Sequence, residues 1–101
     1  MNKKKRERLE AAGWKAGTVQ GFLSLDDADM EYIETKLALT KAVRERRHRE
    51  HLTQVALAER MKTSQSRVAK IEKGDPTVSV DLILRALFTL GVSRKELAKA
   101  I

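Results

Sequence analysis

Apolar residues recur at helical spacing from residue 26 to the end of the chain, and no stretch alternates convincingly with a period of two. Between Asp26 and Glu50 there is neither Gly nor Pro, and the apolar positions fall in two phases: Met30, Ile33 and Leu37, then Leu39 and Val43, continued by Arg47. This predicts one long helix whose stripe shifts midway, so that it bends or packs on two different things. Ser24 or Asp26 is the expected N-cap, and the acidic group Asp26, Asp27 and Asp29 suits the positive end of a helix. Two shorter pieces follow. Gln54–Met61 puts Leu57, Ala58 and Met61 on one face, and Gln65–Lys73 puts Val68 and Ile71 on another, with Ser64 ahead of it as N-cap. Gly74 ends the second piece, with Pro76 close behind. Ser79 then caps a helix with the stripe Val80, Ile83, Leu84, Leu87 and Phe88, which Gly91 stops. Ser93 and Glu96 form a capping box for a last helix carrying Leu97 and Ile101 one turn apart. The expected fold is all-α: five helices over residues 26–101, preceded by an arm over residues 1–25.

The arm opens with Lys3, Lys4, Lys5, Arg6 and Arg8, set against Glu7 and Glu10. Trp14, Val19, Phe22, Leu23 and Leu25 follow among Gly13, Gly17 and Gly21. Large aromatics seek burial. Trp14 and Phe22 therefore either fold back on the long helix or dock on a partner, together with Met30 and Ile33 from the first phase of that helix.

The two short helices at 54–73 read as a unit. If Leu57, Ala58, Met61, Val68 and Ile71 face inward, the face left open carries Gln65, Ser66, Arg67, Lys70 and Lys73. Amide, hydroxyl and cationic groups are the types that meet base edges and phosphates. Ala58 is small enough for two steeply crossing helices to approach closely. Several positions thus agree on a helix-turn-helix whose second helix lies in the major groove of double-stranded DNA.

Composition supports this without deciding it. The chain of 101 residues has the length of one domain, 42% hydrophobic and 35% charged residues, and a formal charge of +7. A positive balance of that size favours an anionic partner, of which nucleic acid is the commonest. With no cysteine, disulfides and thiolate metal sites are excluded, and a cytoplasmic, nucleoid-associated location is expected. The basic start runs into LEAAGWKAG and not into an apolar run, so it does not read as a signal peptide. The most apolar tract, residues 78–92, is interrupted by Asp81 and Arg85 and is too short for a bilayer.

Leu52-Thr53-Gln54, Leu57-Ala58, Ser64-Gln65-Ser66, Val68, Ile71-Glu72 and Gly74 together resemble the Xre/Cro phage-repressor family, whose fold is the lambda-repressor-like helix-turn-helix domain. The likeness extends upstream to about Leu39 and downstream through PTVSVDLILRALFTLGVSRKEL. It implies that Gln54 grips a phosphate, while Gln65, Ser66, Arg67 and Lys70 face bases. It also implies an ion pair between Arg47 and Glu72, which the inward phase of Arg47 supports. One position departs from the family: Lys62 stands where the turn usually has Gly, so a lysine is expected at positive φ with about 1 kcal/mol of strain.

Other constellations carry less. Arg44, Arg46, Arg47 and Arg49 alternate with Glu45 and Glu50, which reads as a solvated helix face. His48 and His51 are three apart but lack a third ligand, and His51 suits a helix C-terminus better than a metal. No nucleophile, phosphate loop or carboxylate–histidine cluster points to catalysis, and neither a cofactor nor a metal is expected. One recognition helix reads only a few base pairs, so a palindromic operator and a homodimer are expected, with Leu97 and Ile101 as the two-fold contact. The arm and long helix ahead of the domain resemble HigA-type antitoxins. That likeness implies a RelE-like toxin partner and repression of the shared operon. A stand-alone repressor and a protein-interaction adaptor on the same fold are the alternatives.

Overall fold

Each junction between helices is built from the same two parts, a left-handed residue that ends one helix and a hydroxyl that starts the next. The computed structural model describes residues 26–101, and the arm, including Trp14 and Phe22, lies outside them. Five helices follow in order: α1 (Asp27–Arg49), α2 (Gln54–Met61), α3 (Gln65–Lys73), α4 (Val80–Thr89) and α5 (Arg94–Ala100). There is no strand among the described residues. Asp26 caps α1 in a reciprocal box with Asp29, whose N–H donates to Asp26 Oδ1 at 2.8 Å. Thr53, Ser64, Ser79 and Ser93 accept from the third residue beyond them and so cap α2 to α5. Each such cap contributes about 1 kcal/mol.

At the other ends His51 (φ 56°), Lys62 (φ 57°), Gly74 (φ 73°) and Gly91 (φ 84°) are left-handed. The next N–H in each case reaches back across the last turn: Leu52 to Arg47, Thr63 to Ala58, Asp75 to Lys70 and Val92 to Leu87, at 2.9–3.1 Å. Two of the four positions are not glycine. Lys62 is held at positive φ as its place in the turn requires, and His51 ends α1 in the same way.

The core is shared by α1 to α4. Leu57, Ile71, Ile83, Leu87, Val43 and Val68 are its largest fully buried side chains, each contributing about 1.5–3 kcal/mol by leaving water. Two expectations are corrected here. The buried stripe of α1 runs Met30, Ile33, Lys36, Leu39, Thr40 and Val43, so that it passes through two polar residues and takes Lys36 in place of half-buried Leu37. Its steps of three residues carry it round the helix, as the expected shift of phase requires. On α4, Phe88 is 47% exposed, and Ala86 and Leu90 fill the places beside Ile83 and Leu87.

Lys36 enters the stripe because its amine has a partner, the Pro76 carbonyl at 3.0 Å in the α3–α4 connection. Burial pushes the amine below its usual value, and the Asp75 carboxylate partly offsets this. Asp75 is itself shaped into a turn, accepting from the N–H and hydroxyl of Thr77 at 2.9 and 2.7 Å. Those bonds, more than the nearby cations Lys70 and Lys36, hold its carboxyl below the usual range.

α5 is attached differently. None of its residues is fully buried, and it packs chiefly against α1, with Leu97 half-buried at the edge of the core. Arg46 on α1 fastens it, with Nη1 2.5 Å from Glu96 Oε2, while its Nε pairs at 3.0 Å with Glu50 at the end of α1 itself. Ser93 caps the helix, but Glu96 turns its carboxylate to Arg46 and Ser93 Oγ, so the expected reciprocal box is replaced by an ion pair between helices.

Arg46 holds the Glu96 carboxyl below its ordinary value of 4.5, with Ser93 adding to the effect. A depressed carboxylate stabilises the fold fully above its ordinary value, and the contribution is lost as pH falls through the depressed one. Acidification below pH 4.5 should therefore release α5 while the α1–α4 core persists. Backbone amide exchange at Leu97–Lys99 should accelerate before that at Ile83–Leu87, and Glu96→Gln should show the same early exchange at neutral pH.

Candidate nucleic-acid interface

α3 has two unlike sides. Val68, Ile71 and Glu72 are buried, whereas Gln65, Ser66, Arg67, Lys70 and Lys73 are exposed along the rest of the helix. The division follows from the sequence: only two large apolar residues and one partnered carboxylate find a place in the core, and every cation is left outside. Gln54, the first residue of α2, is half-buried and lies beside the start of α3. Ser64 is exposed, but its hydroxyl is engaged by the Arg67 N–H at 3.2 Å and by Ser66 Oγ at 3.3 Å.

Beneath this surface lies a connected polar network. Arg47 Nε is 2.5 Å from Glu72 Oε2, and Arg47 Nη2 donates to Glu72 Oε1 at 2.9 Å. Nη1 of the same guanidinium donates to the Leu52 carbonyl at 2.8 Å. The side chains are 11% and 5% exposed, so the pair is largely removed from water. The hydrogen bonds that Arg47 donates to Glu72 raise its value above the usual one. Gln54 Nε2 then donates to Glu72 Oε1 at 3.3 Å, and Gln65 Nε2 donates to Gln54 Oε1 at 2.7 Å. The ion pair expected from phase and resemblance is thus geometrically present, and it continues through two glutamines to the exposed surface. The Gln54–Gln65 contact was not anticipated, although two amides opening consecutive helices were a visible signal.

The other candidate residues are more scattered. Met30 and Ile33, proposed for partner contact, are 4% and 3% exposed in the chain itself and offer no open surface in this conformation. Ile101 is 64% exposed, whereas Leu97, expected to have little to bury it, already rests on the core of its own chain. Arg46 belongs to the α5 attachment, so the basic run of α1 is only partly a solvated face. His48 Nε2 lies 3.2 Å from Arg47 Nη2.

The family model of the helix-turn-helix domain matches residues 38–100. The chain belongs to that family. No curated protein and no solved structure matches it. The match begins inside α1, so residues 27–37 of that helix precede it. Membership points to a DNA-binding regulator, and α3 with the start of α2 is the part of the domain that presents amide, hydroxyl and cationic side chains together. No helix among the described residues is long and apolar enough to cross a membrane.

The Arg47–Glu72 pair generates a stability prediction. Removing one partner of a desolvated pair strands the other charge, so Glu72→Ala should destabilise by about 3 kcal/mol, against 1 kcal/mol or less for a surface pair. Denaturant melts of Glu72→Ala, Arg47→Ala and the double variant check this. Coupling between the two sites should be large, and independent small effects would show that the charges do not act together.

Proposed function

We propose that this protein is a sequence-specific transcriptional repressor that binds a palindromic operator as a homodimer, with α3 in the major groove. The carrying observation is the open side of α3, where Gln65, Ser66, Arg67, Lys70 and Lys73 stand together above a helix anchored from behind. Gln65, Arg67 and Lys70 read bases. Gln65 suits adenine, donating to N7 and accepting from the N6 amino group, while Arg67 suits guanine. Gln54 and Lys73 set position against phosphates, supported by the place of Gln54 at the start of α2 and by the charge of Lys73 at the end of α3. Ser64 and Ser66 stand at the entrance of the helix. Exposed Ile101, with Leu97 beside it, supports a two-fold contact that would bring two recognition helices to half-sites about 34 Å apart.

The segment ahead of the domain supports a second role, that of an antitoxin whose partner is a RelE-like toxin. Its first helical turns lie outside the family match and expose Asp27, Asp29, Glu31 and Tyr32, a surface suited to a basic protein. Trp14 and Phe22 are the aromatic anchors proposed to engage the same partner.

Readout and positioning separate by experiment. Arg67→Ala and Lys70→Ala should lose about 1–3 kcal/mol of discrimination between operator and random duplex at matched salt. Lys73→Ala should weaken both DNAs alike and lower the salt slope by about one ion. Equal losses on both DNAs for all three variants would overturn the assignment, and no DNA affinity at all would favour a protein-interaction adaptor.

Deleting residues 1–25 tests the second role. Operator binding should stay within a few fold, while rescue of cells from the cognate toxin should be abolished. Retained rescue, or absence of any toxin partner, would leave a stand-alone repressor.

A further inference from the structure

The network under α3 has a direction, and that direction starts at Glu72. A carboxylate held by a guanidinium has only acceptors to offer. Gln54 must therefore turn its NH2 toward Glu72, as it does at 3.3 Å. Its carbonyl oxygen then faces away, and the only group of Gln65 that can meet an oxygen is its own NH2, seen at 2.7 Å. Each amide in turn has its donor and acceptor ends assigned by the residue behind it. Gln65 is left with its carbonyl oxygen and its second N–H directed outward.

We propose that Glu72, although buried and remote from the bases, is a positioning residue for base recognition, because it sets the amide polarity of Gln54 and through it that of Gln65. This rests on the reading that Gln65 faces a base pair. An amide presents an acceptor on one side and a donor on the other, and adenine presents the complement at N7 and N6. Rotating the amide by half a turn exchanges the two ends and mismatches both contacts. A base-reading glutamine with no fixed polarity would populate both states and discriminate poorly. The bidentate grip of Arg47 holds Glu72 in place, so the same ion pair that anchors α3 also orients the amide that reads.

Glu72→Gln removes the acceptor-only character at nearly constant shape, since an amide can either donate or accept. A second variant, Arg47→Met with Glu72→Leu, removes the carboxylate and its counter-charge together. It remains usable if the single substitution unfolds the chain, because apolar replacements of whole ion pairs are commonly tolerated. The full chain is used to select from a randomised duplex library. Affinity for all four base pairs at each selected position is then measured for wild type, Gln65→Ala and both variants, with thermal melts to establish folding.

Gln65→Ala should flatten one position, from a preference of about tenfold to about twofold. Glu72→Gln and the double variant should flatten that same position while leaving the positions governed by Arg67 sharp. A folded variant that keeps the tenfold preference there overturns the proposal. So does a uniform loss at every position, which is what a purely structural role would give. If Gln65→Ala flattens no position, the base-facing assignment of Gln65 fails, and the relay has nothing to orient.

Discussion

A recognition helix of nine residues with two large buried apolar side chains is too short to hold its own orientation by packing alone. What fixes α3 is the paired contact of Arg47 with Glu72, two parallel bonds between planar groups, reinforced by the third bond of Arg47 to the Leu52 carbonyl. Such a pair adds little net stability over a well-packed apolar pair, because both charges have left water. Its contribution is geometric. A guanidinium accepts a carboxylate in one plane and at one distance, so the end of α3 cannot slide or roll on α1 without breaking bonds. The exposed side of α3 inherits that fixity.

α1 serves as the spine on which the other pieces hang, and it does so through cations as much as through apolar contact. Lys36 holds the α3–α4 connection, Arg46 holds α5, and Arg47 holds α3 and the start of the α1–α2 turn. The three lie within about 16 Å along the helix axis. They differ in environment, and so in how they respond to conditions. Arg47 and Lys36 are shielded, while the Arg46–Glu96 contact faces solvent and is the one that acid and salt reach first.

The boundaries of α2, α3, α4 and α5 were legible because their caps are local chemistry. Ser64, Ser79 and Ser93 bond to backbone three residues away, and Gly74 and Gly91 satisfy a conformation that their own lack of a side chain permits. What escaped was decided by distant residues. Lys36 is inward only because the Pro76 carbonyl waits forty residues later, and a pattern of apolar positions treats any lysine as outward. Phe88 is outward although it fits the stripe of α4, because Ala86 and Leu90 take the space facing the core. Arg47–Glu72 was readable since both phase and family resemblance marked it. The amide relay above it needed the crossing of α2 over α3, which spacing along one chain does not contain.

His51 and Lys62 end their helices in a left-handed conformation that glycine adopts without strain, at about 1 kcal/mol each. The opposing effect lies in the unfolded chain. A glycine at either site would gain backbone freedom on unfolding, about 0.5–1 kcal/mol in the other direction. The two effects nearly cancel, so the identity of the residue is only weakly constrained by folding. A charged side chain can then stand at these turns at little cost to folding. In the turn between α2 and α3 the residue is a lysine, which sets a cation directly ahead of the helix that carries Arg67, Lys70 and Lys73.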